Sequence, residues 1–369
     1  MKSANVIQIG DRNLGVEEPI FIVAEIGINH NGDMTLAKEQ IAAAAEAGAD
    51  SVKFQNYHVN DFVRDPSLMF TYKSQGKEVT ESQFDMFTRY QIGLDEMFVL
   101  KEYCDKCGII FHSTPTSFAG IDDLIKVGAG MLKNGSDFLS HIELVEAMAK
   151  TGLPTVLSTG MANREDIEES VRYFRDAGNN DLIVLQCTSN YPTAPKDVHL
   201  LKMLEIAKEF DCLTGLSDHS QGSLAAVGAA MLGGVLIEKH FTSDHNLPGP
   251  DHWFSSDPDE FAALVKDVRA AEKSGGGLKA FSEISQEARD MLGHGSLELD
   301  MAEEESRKEY RLSCVAKYSL PKGHIIKKSD IDFQRPGYGF RPSYANHLVG
   351  RVLNKDIKLH HILQNEDFL

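Results

Sequence analysis

The chain has 369 residues, more than one small core accommodates, which fits one large domain followed by a small one. Hydrophobic residues make up 42% of it and charged residues 25%, a balance that excludes a wholly disordered chain. The formal net charge of −18 argues against nucleic acid as the main partner, and the longest apolar run, residues 224–237, has 14 residues, short of the roughly 20 that a membrane span requires.

The cysteines and the N-terminal segment bear on the compartment. Five cysteines, an odd number spread over the chain, form no disulfide framework and favour a reducing environment. The opening sequence MKSANVIQIGDRN has no apolar core followed by a small-residue cleavage site, so no signal peptide is expected. We therefore expect a cytoplasmic protein whose partners are small molecules, with no role for nucleic acid or membrane.

The first 275 residues repeat one theme, a short β-branched run followed by a polar turn and an amphipathic stretch of helical period. The predicted strands span residues 21–27, 51–55, 109–114, 131–135, 155–160, 182–188, 213–218 and 235–241, and helical stretches include 36–48, 141–152 and 258–273. Parallel strands need crossovers and barrel closure removes exposed edges, so eight such units predict an α/β fold of the (βα)8 TIM-barrel type. A doubly wound open sheet is the alternative.

Two segments of residues 1–275, the predicted barrel domain, depart from the repeat. The segment MKSANVIQIGDRNLG precedes the first barrel strand and is predicted to form a hairpin. The insert between Gln55 and Leu94 is longer than a usual loop, and such inserts often cover functional sites. We expect it to cover the site of this barrel.

The composition changes after residue 275. Residues 276–310 mix glycines with a dense charge run, and they are predicted to form a linker with some helix whose EEES run is a solvated face. Residues 311–369 carry short strands with Pro and Gly turns, and 10 Lys and Arg against 5 Asp and Glu give them a net charge of +5. The preceding 310 residues carry 27 against 50, a net charge of −23. A small basic β-rich domain is thus predicted to follow a large acidic one.

Polar side chains end almost every predicted strand of the barrel. In a (βα)8 barrel these ends meet at one mouth, where catalytic groups lie. The candidates there are Glu25, Lys53, Gln55, Thr114, Lys133, Ser136, Ser158, Thr188, Ser189, Tyr191, Ser217, His219, Glu238, Lys239 and His240. A barrel with a purely structural role does not need such a set, so the sequence predicts an active site at the mouth.

Two of these candidates are lysines in apolar strands. Lys53 in SVKFQ and Lys133 in MLKNG are costly to bury unless each meets an anion. With the hydroxyl groups nearby, they are suited to binding a phosphate and a carboxylate. The alternative is that each lysine pairs with a barrel carboxylate such as Glu25 or Glu238.

Two further candidates are histidines that end consecutive strands, so their imidazoles are expected to converge. Two neutral imidazoles completed by oxygen ligands suit Mn²⁺, Mg²⁺ or a similar divalent ion. Taken singly, His219 and His240 also fit hydrogen-bonded core or surface residues. The sequence has no HExxH motif and no Cys-rich ligand set, so a structural zinc site is not expected.

An ordered series of motifs resembles the sialic acid synthase (N-acetylneuraminate synthase) family. The motifs are AEIGINHNGD (24–33), SVKFQ (51–55), HSTP (112–115), LKNGS (132–136), STGM (158–161), QCTSNYP (186–192), GLSDHS (215–220), IEKHFT (237–242) and PGPDHWFS (248–255). In the tail, LPKGHII (320–326) and QRPGYGFRP (334–342) resemble the family's antifreeze-like SAF domain, a β-clip module. The resemblance covers nearly the whole chain, and the ordered series is far more specific than any one motif.

The resemblance implies a synthase that condenses phosphoenolpyruvate with an N-acylhexosamine, N-acetylmannosamine or a related dideoxy sugar. The products are a nonulosonic acid and phosphate, formed by metal-assisted C–C bond formation and C–O cleavage. Phosphoenolpyruvate would be bound by Lys53, Thr114, Lys133, Ser136, Ser158, Ser189 and Ser217, and the sugar by Glu25, Gln55, Tyr191, Asp251 and Arg335. A divalent metal, with Mn²⁺ favoured over Mg²⁺ and Co²⁺, would be bound by His219 and His240.

By the same resemblance, the catalytic groups are Glu25, Lys53, Lys133, His219 and His240. Arg335 matches the SAF-domain arginine that reaches the barrel of the partner subunit in a domain-swapped homodimer. One departure concerns Ser189: where some members read CTN, this chain reads CTS, so an asparagine contact to phosphoenolpyruvate is replaced or shifted. The CTS form also occurs in relatives that make legionaminic or pseudaminic acid, so these activities are alternatives.

Two alternative functions compete with that of a phosphoenolpyruvate-dependent synthase. A pyruvate aldolase would use Lys133 or Lys239 as a Schiff-base nucleophile. A barrel without catalytic activity would carry the SAF-like module as a carbohydrate-binding or assembly domain. The intact set of Glu25, both lysines and both histidines argues against the second alternative.

Overall fold

The structure of the chain is a computed structural model that describes residues 6–63 and 65–369. Residues 1–5 of the predicted N-terminal hairpin segment lie outside the described residues. The strands are β1 (Ile7–Ile9), β2 (Arg12–Leu14), β3 (Phe21–Gly27), β4 (Ser51–Asn56), β5 (Met69–Ser74), β6 (Lys77–Ser82), β7 (Ile110–Pro115), β8 (Leu132–Asn134), β9 (Thr155–Ser158), β10 (Leu182–Cys187), β11 (Leu213–Asp218), β12 (Leu236–His240), β13 (Ser313–Ala316) and β14 (Ile331–Gln334). The α-helices are α1 (Met34–Glu46), α2 (Gln83–Tyr90), α3 (Leu94–Cys107), α4 (Phe118–Val127), α5 (Ile142–Lys150), α6 (Arg164–Asp176), α7 (Leu201–Phe210), α8 (Leu224–Met231), α9 (Pro258–Ser274), α10 (Leu278–Ile284), α11 (Gln286–Leu292), α12 (Glu304–Tyr310) and α13 (Ala345–Leu348).

Within the described residues, eight parallel strands form a closed barrel in the order β3, β4, β7, β8, β9, β10, β11, β12. β12 closes the barrel against β3, with Leu236 opposite Phe21 and His240 opposite Glu25. This pairing confirms the predicted barrel and excludes the doubly wound open sheet, whose outer strands would keep free edges. The carboxyl ends of the eight strands therefore meet at one mouth.

The boundaries of the barrel helices follow local chemistry that is visible in the sequence. α1 begins after Asp33, whose carboxylate accepts a hydrogen bond from the Thr35 backbone N–H at 2.7 Å. α3 and α4 end at Gly108 and Gly128, whose φ angles of +68° and +80° favour glycine. In the part of the chain that the structure describes, no helix combines the length and the apolar character needed to cross a membrane.

The predicted N-terminal hairpin is present as β1 and β2, which pair in antiparallel fashion. Ile9 and Leu14 of this hairpin are fully buried in one apolar cluster with Phe21 and Met131. Because Phe21 begins β3 and Met131 directly precedes β8, the hairpin covers the end of the barrel opposite the mouth.

The insert after β4 contains the β5–β6 hairpin and helix α2. Phe70, Tyr72, Met86 and Phe87 of this insert line the cavity at the barrel mouth. The prediction that the insert covers the site is therefore confirmed.

The segment 276–310, predicted to be a linker with some helix, contains α10, α11 and α12. Its Phe281, Ala288 and Met291 are buried in the same apolar cluster as the barrel helices. The segment thus packs on the barrel as a further layer, and its path brings the C-terminal residues back to the barrel mouth.

The C-terminal residues 313–369 form a small β-rich unit in which β13 and β14 pair in antiparallel fashion. It has its own apolar cluster, in which Ile326, Leu348 and Leu363 are buried. Its basic surface contacts the acidic barrel, for example where Lys328 Nζ lies 2.8 Å from Glu143 Oε1.

Candidate active site

The carboxyl ends of the barrel strands surround a cavity of about 460 Å³, which the insert, α12 and the C-terminal unit also border. The candidates from the sequence that line it are Glu25, Lys53, Gln55, Thr114, Lys133, Ser136, Ser158, Ser189, Tyr191, Ser217, His219, His240, Asp251 and Arg335. These are all the residues to which the family resemblance gives a role, brought together from strands and loops far apart in the chain. Two other strand-end candidates, Thr188 and Lys239, do not line the cavity: Thr188 Oγ1 donates to the Asp197 carbonyl oxygen, and Lys239 pairs with Asp218. The individual roles assigned to these residues remain predictions.

Two lysines and two glutamates form a buried ionic cluster in this cavity. Lys53 Nζ lies 3.3 Å from Glu25 Oε2 and 3.3 Å from Glu238 Oε1. Lys133 Nζ lies 3.2 Å from the same Glu238 oxygen, which also accepts a hydrogen bond from Ser217 Oγ at 3.0 Å. Pairing of the lysines with barrel carboxylates, the alternative that the sequence leaves open, is therefore present in the structure.

Burial and neighbouring charges separate the pKa values of the two carboxyl groups. Burial raises the pKa of Glu25 to about 7, although the Lys53 ammonium opposes the shift. Burial acts in the same direction on Glu238, but Lys133 and Lys53 outweigh it and hold the Glu238 pKa well below its usual range. Near neutral pH, Glu25 is the carboxyl group that exchanges a proton, and Glu238 stays ionised.

Serine hydroxyl groups line the cavity around one glycine. Ser136 Oγ accepts a hydrogen bond from the Gly160 backbone N–H at 2.9 Å. Among the described residues, the buried Oγ atoms of Ser158 and Ser189 have no hydrogen-bond partner. A Cβ atom at position 160 would lie 2.2 Å from Ser189 Oγ, so glycine is required there for the hydroxyl groups to keep these places. The two unpaired hydroxyl groups are available to an anion.

His219 and His240 converge as the sequence predicts, with ring centroids 5.3 Å apart. The His219 Nδ1–H donates to the Thr188 carbonyl oxygen at 2.7 Å, which leaves Nε2 with a free lone pair. His240 Nδ1 is buried without a hydrogen-bond partner among the described residues. Burial lowers the pKa of both imidazoles, so both are neutral, as metal binding requires. These donors fit a divalent cation whose other ligands are oxygen atoms.

Other groups of potential metal ligands in the described part of the chain lie outside this cavity. They are His199 with His294 and Asp300, and His245 with Asp257 and Glu260. Neither group includes a residue that lines the cavity.

An aromatic and polar wall adjoins the histidines. The Tyr191 ring centroid lies 4.3 Å from that of His219. Gln55 Nε2 donates a hydrogen bond to Glu25 Oε1 at 3.1 Å, which links this wall to the ionic cluster. Burial raises the pKa of Asp251 to about 6, with His219 opposing the shift. The wall offers donors and acceptors suited to the hydroxyl groups of a sugar.

Arg335 reaches the cavity from the C-terminal unit. Its Nη2 lies 2.8 Å from Asp137 Oδ2, and its guanidinium lies 5.2 Å, 5.7 Å and 5.6 Å from the ring centroids of Phe62, Phe87 and Tyr310. Cation–π contacts of this kind hold an arginine in one orientation. The site therefore includes residues from the barrel, the insert, α12 and the C-terminal unit.

That Arg335 reaches the barrel of a partner subunit stays a prediction. In this structure it contacts the barrel of its own chain.

Two acidic residues near the site, Asp137 and Glu303, were not assigned roles from the sequence, and a third, Glu238, was considered only as a pairing partner of the lysines. Asp137, next to Ser136 in LKNGSD, fixes Arg335, and Glu238, in the IEKHFT motif, pairs with both lysines. Glu303 accepts hydrogen bonds from the backbone N–H groups of Met161 and Ser189 at 2.8 Å and 2.7 Å. Glu303 opens the charge run predicted to be a solvated face, yet it is 2% exposed, so for this residue the prediction was wrong.

A closed (βα)8 barrel whose mouth gathers buried lysines, a titratable carboxyl group and two neutral histidines defines a barrel enzyme. Comparison with known proteins gives its family: the NeuB family matches residues 40–280, and the SAF domain matches residues 313–369. The chain belongs to the NeuB family and ends in a SAF domain.

Similar proteins extend over nearly the whole chain. Protein MJ1065 of Methanocaldococcus jannaschii is 37% identical over 363 residues, covering 98% of both chains. The N,N'-diacetyllegionaminic acid synthase of Legionella pneumophila is 34% identical over 352 residues, covering 94% of both. The crystal structure of the spore coat polysaccharide biosynthesis protein SpsE of Bacillus subtilis is similar with a TM-score of 0.84 at 30% identity, covering 99% of both chains.

Proposed function

We propose that the chain is a synthase that condenses phosphoenolpyruvate with an N-acylhexosamine, giving a sialic-type nonulosonic acid and phosphate. The observation that carries the proposal is the meeting of the buried lysine pair with the neutral histidine pair in one cavity, beside unpaired serine hydroxyl groups. The first pair suits an anionic substrate, and the second suits a cation that activates a carbonyl group. The similarity to a synthase of N,N'-diacetyllegionaminic acid supports the same reaction class.

Phosphoenolpyruvate, in this proposal, is bound at the ionic cluster. Lys53 and Lys133 provide the two buried cations next to its phosphate and carboxylate. The hydroxyl groups that donate to its oxygen atoms belong to Thr114, Ser136, Ser158, Ser189 and Ser217. Ser189 takes the place of the asparagine found in some relatives, and its buried Oγ has no other partner among the described residues.

We assign the divalent cation to His219 and His240, with Mn²⁺ as the favoured ion. When bound, the cation polarises the aldehyde of the open-chain sugar as a Lewis acid. The support from the structure is the donor set: neutral imidazoles, one of them held in a defined tautomer by Thr188.

The reaction forms a bond between C3 of phosphoenolpyruvate and the aldehyde carbon of the sugar, whose oxygen gains a proton and becomes a hydroxyl group. Water adds to C2, and the resulting tetrahedral centre loses phosphate as the C–O bond breaks. Glu25 accepts the proton that the water loses, a role that fits its pKa of about 7. Lys53 and Lys133 stabilise the negative charge on the departing phosphate.

A di-N-acylated dideoxy hexose is the second candidate for the acceptor, beside N-acetylmannosamine. Phe62, Phe87 and Tyr310 give the outer part of the cavity an aromatic surface, onto which a second acyl methyl group can pack. The similarity to the Legionella synthase supports this acceptor class.

We further propose that the enzyme acts in the cytoplasm as a homodimer with exchanged SAF domains. Its cysteines in the described residues are free, as a reducing compartment favours. In a domain-swapped dimer, the contacts seen within one chain recur between chains. The Arg335–Asp137 pair would then join two protomers.

The experiment that tests the reaction measures phosphate release from phosphoenolpyruvate with a panel of hexosamines, followed by mass spectrometry of the products. We expect release only with N-acylated acceptors and a product that has gained one pyruvate unit. Absence of release with every acceptor would contradict the proposal. Loss of activity after borohydride treatment with pyruvate would instead indicate the Schiff-base aldolase.

A further inference from the structure

A second cavity, of about 290 Å³, lies where the barrel, the segment 276–310 and the SAF domain meet. Arg307, Arg311 and Arg341 line it, together with the polar residues Ser140 and Tyr344. Three guanidinium groups around one small cavity are unusual, because like charges repel and each needs a counter-charge.

Two of the three arginines share one carboxylate. Arg307 Nη1 lies 2.7 Å from Asp166 Oδ2, and Arg341 Nη1 lies 2.9 Å from Asp166 Oδ1. Arg341 Nη2 also lies 3.0 Å from Glu165 Oε1. Both oxygen atoms of Asp166 are thus in contact with a guanidinium group, and its side chain is fully buried.

Arg311 does not contact this carboxylate directly. It is 4% exposed, and its Nη2 donates to the Gly160 carbonyl oxygen at 3.0 Å. Among the described residues, its Nε and Nη1 have no hydrogen-bond partner, and no carboxylate oxygen lies within 4.0 Å of its nitrogen atoms. Burial lowers the pKa of Arg311 to about 10, and the Asp166 carboxylate that Arg307 and Arg341 contact opposes this shift at longer range. Because that shared carboxylate does not contact Arg311 directly, the unpaired donors of Arg311 remain costly to bury unless an anion accepts hydrogen bonds from them.

We propose that this second cavity binds a small oxyanion of the phosphate type, with Arg311 as its main ligand. Nε and Nη1 of Arg311 are unpaired and lie on different edges of the guanidinium group, so such an anion accepts a charge-assisted hydrogen bond from one of them. Arg307 and Arg341 border the same cavity and add positive charge.

The site adjoins the wall of the first cavity. Arg311 donates to the Gly160 carbonyl, and Arg307 donates to that of Met161, in the loop after β9. The backbone N–H of Gly160 donates to Ser136 Oγ, and Ser158 ends the strand before it. An anion in the second cavity therefore stabilises the loop that carries these hydroxyl groups.

The test is isothermal titration calorimetry of the full-length protein with inorganic phosphate, at constant ionic strength with chloride as the balancing anion. The Lys133→Met variant serves as background, because it removes one ammonium group of the first cavity. We expect phosphate binding to persist in Lys133→Met and to weaken about tenfold or more when Arg311→Met is added. Equal phosphate affinity with and without Arg311→Met would overturn the proposal.

Two further variants keep the test decisive if the Arg311→Met chain does not fold. Arg341→Gln changes a half-buried residue of the same cavity and should weaken phosphate binding several-fold. Arg172→Gln removes an exposed arginine of α6, the helix that carries Asp166, and should leave phosphate binding unchanged. Equal loss of phosphate affinity in both variants, or no loss in either variant, would contradict a site at this cavity.

Titration of phosphoenolpyruvate into the same Lys133→Met background distinguishes a site for free phosphate from a site for phosphate monoesters. Binding of phosphate without binding of phosphoenolpyruvate supports a site for free phosphate, such as the product of the proposed reaction. Binding of both, each weakened by Arg311→Met, supports a site for phosphate monoesters as well. Absence of Arg311-dependent binding of either anion overturns the inference, whatever the enzyme's activity.

Discussion

Glu25 and Glu238 lie on neighbouring strands of the barrel and share Lys53, yet their pKa values move in opposite directions. Glu238 contacts both lysines through one oxygen and also accepts a hydrogen bond from Ser217, so its ionised form is stabilised. Glu25 has one lysine partner and the repulsion of Glu238. Pairs of this kind divide the roles of ionic anchor and proton acceptor between two carboxyl groups.

The raised pKa of Glu25 predicts a pH dependence. Because the proposed role requires the ionised carboxylate, kcat/KM should rise as the pH increases through about 7, the pKa of Glu25. Glu25→Gln should lower kcat by about 10² to 10⁴-fold and abolish that rise, with little change in phosphoenolpyruvate affinity. The control Glu283→Gln, at an exposed position, should keep the wild-type pH profile. An unchanged profile in Glu25→Gln would assign the titration to another group.

The histidine pair predicts a metal requirement. EDTA should abolish activity, and Mn²⁺, Mg²⁺ or Co²⁺ should restore it. The double variant His219→Ala/His240→Ala should bind no Mn²⁺ by calorimetry, whereas His294→Ala, from a ligand group outside the cavity, should bind it as the wild type does. Full activity of a metal-free preparation would contradict the assignment.

At the level of secondary structure, the loops after β9 and β10 depend on a residue from outside the barrel. Glu303 lies just before α12 and accepts the backbone N–H groups of Met161 and Ser189 with one oxygen. Burial raises the pKa of Glu303, and the two backbone donors oppose that shift. The segment 276–310 thereby positions two of the loops that line the cavity.

Glu303 is therefore predicted to act as a positioning residue. Glu303→Ala should raise the KM for phosphoenolpyruvate about tenfold, with a smaller effect on kcat, because two hydrogen bonds that hold the loops are lost. Glu303→Gln keeps an acceptor oxygen and should restore most of the affinity. The neighbouring exposed residue Glu304 gives the control, Glu304→Ala, which should behave as wild type. If both Glu303 variants raise KM and lower kcat by the same factor, the role of Glu303 is purely structural.

The elements that the sequence predicts well are those with a local pattern. The eight barrel strands are β-branched runs, and the polar residues at their ends meet because parallel strands share one carboxyl edge. Glu303 has no such signal, since its burial comes from packing of a charged segment against loops more than 100 residues away in the chain. The contact of Arg335 with Asp137 also depends on the path of segment 276–310, which no local pattern encodes.

At the scale of the whole molecule, the two domains carry net charges of opposite sign. The last 59 residues carry a net charge of +5 and the rest carries −23, and ion pairs join them where Lys328 meets Glu143 and Arg341 meets Glu165. Exposed pairs contribute little stability singly, so they orient the SAF domain more than they hold it. Such contacts are compatible with exchange of the SAF domain between chains.

The proposed domain exchange predicts complementation between inactive variants. Arg335→Ala should raise the sugar KM or lower kcat and leave phosphoenolpyruvate affinity nearly unchanged. Mixing Arg335→Ala with Glu25→Ala should regenerate part of the activity, because a hybrid dimer contains one site with both residues. If activity does not return after subunit exchange has been verified, Arg335 acts within its own chain. Its contact with Asp137 of the same chain in this structure would then be the functional one.

The central claim is condensation of phosphoenolpyruvate with C–O cleavage, and the position of one oxygen atom tests it most directly. Phosphoenolpyruvate carrying ¹⁸O in the bridging C–O position is converted with an N-acylhexosamine, and both products are examined by mass spectrometry. We predict that the label leaves with phosphate, since water supplies the new oxygen at C2. Label retained in the sugar acid would mean P–O cleavage and would contradict the proposed reaction.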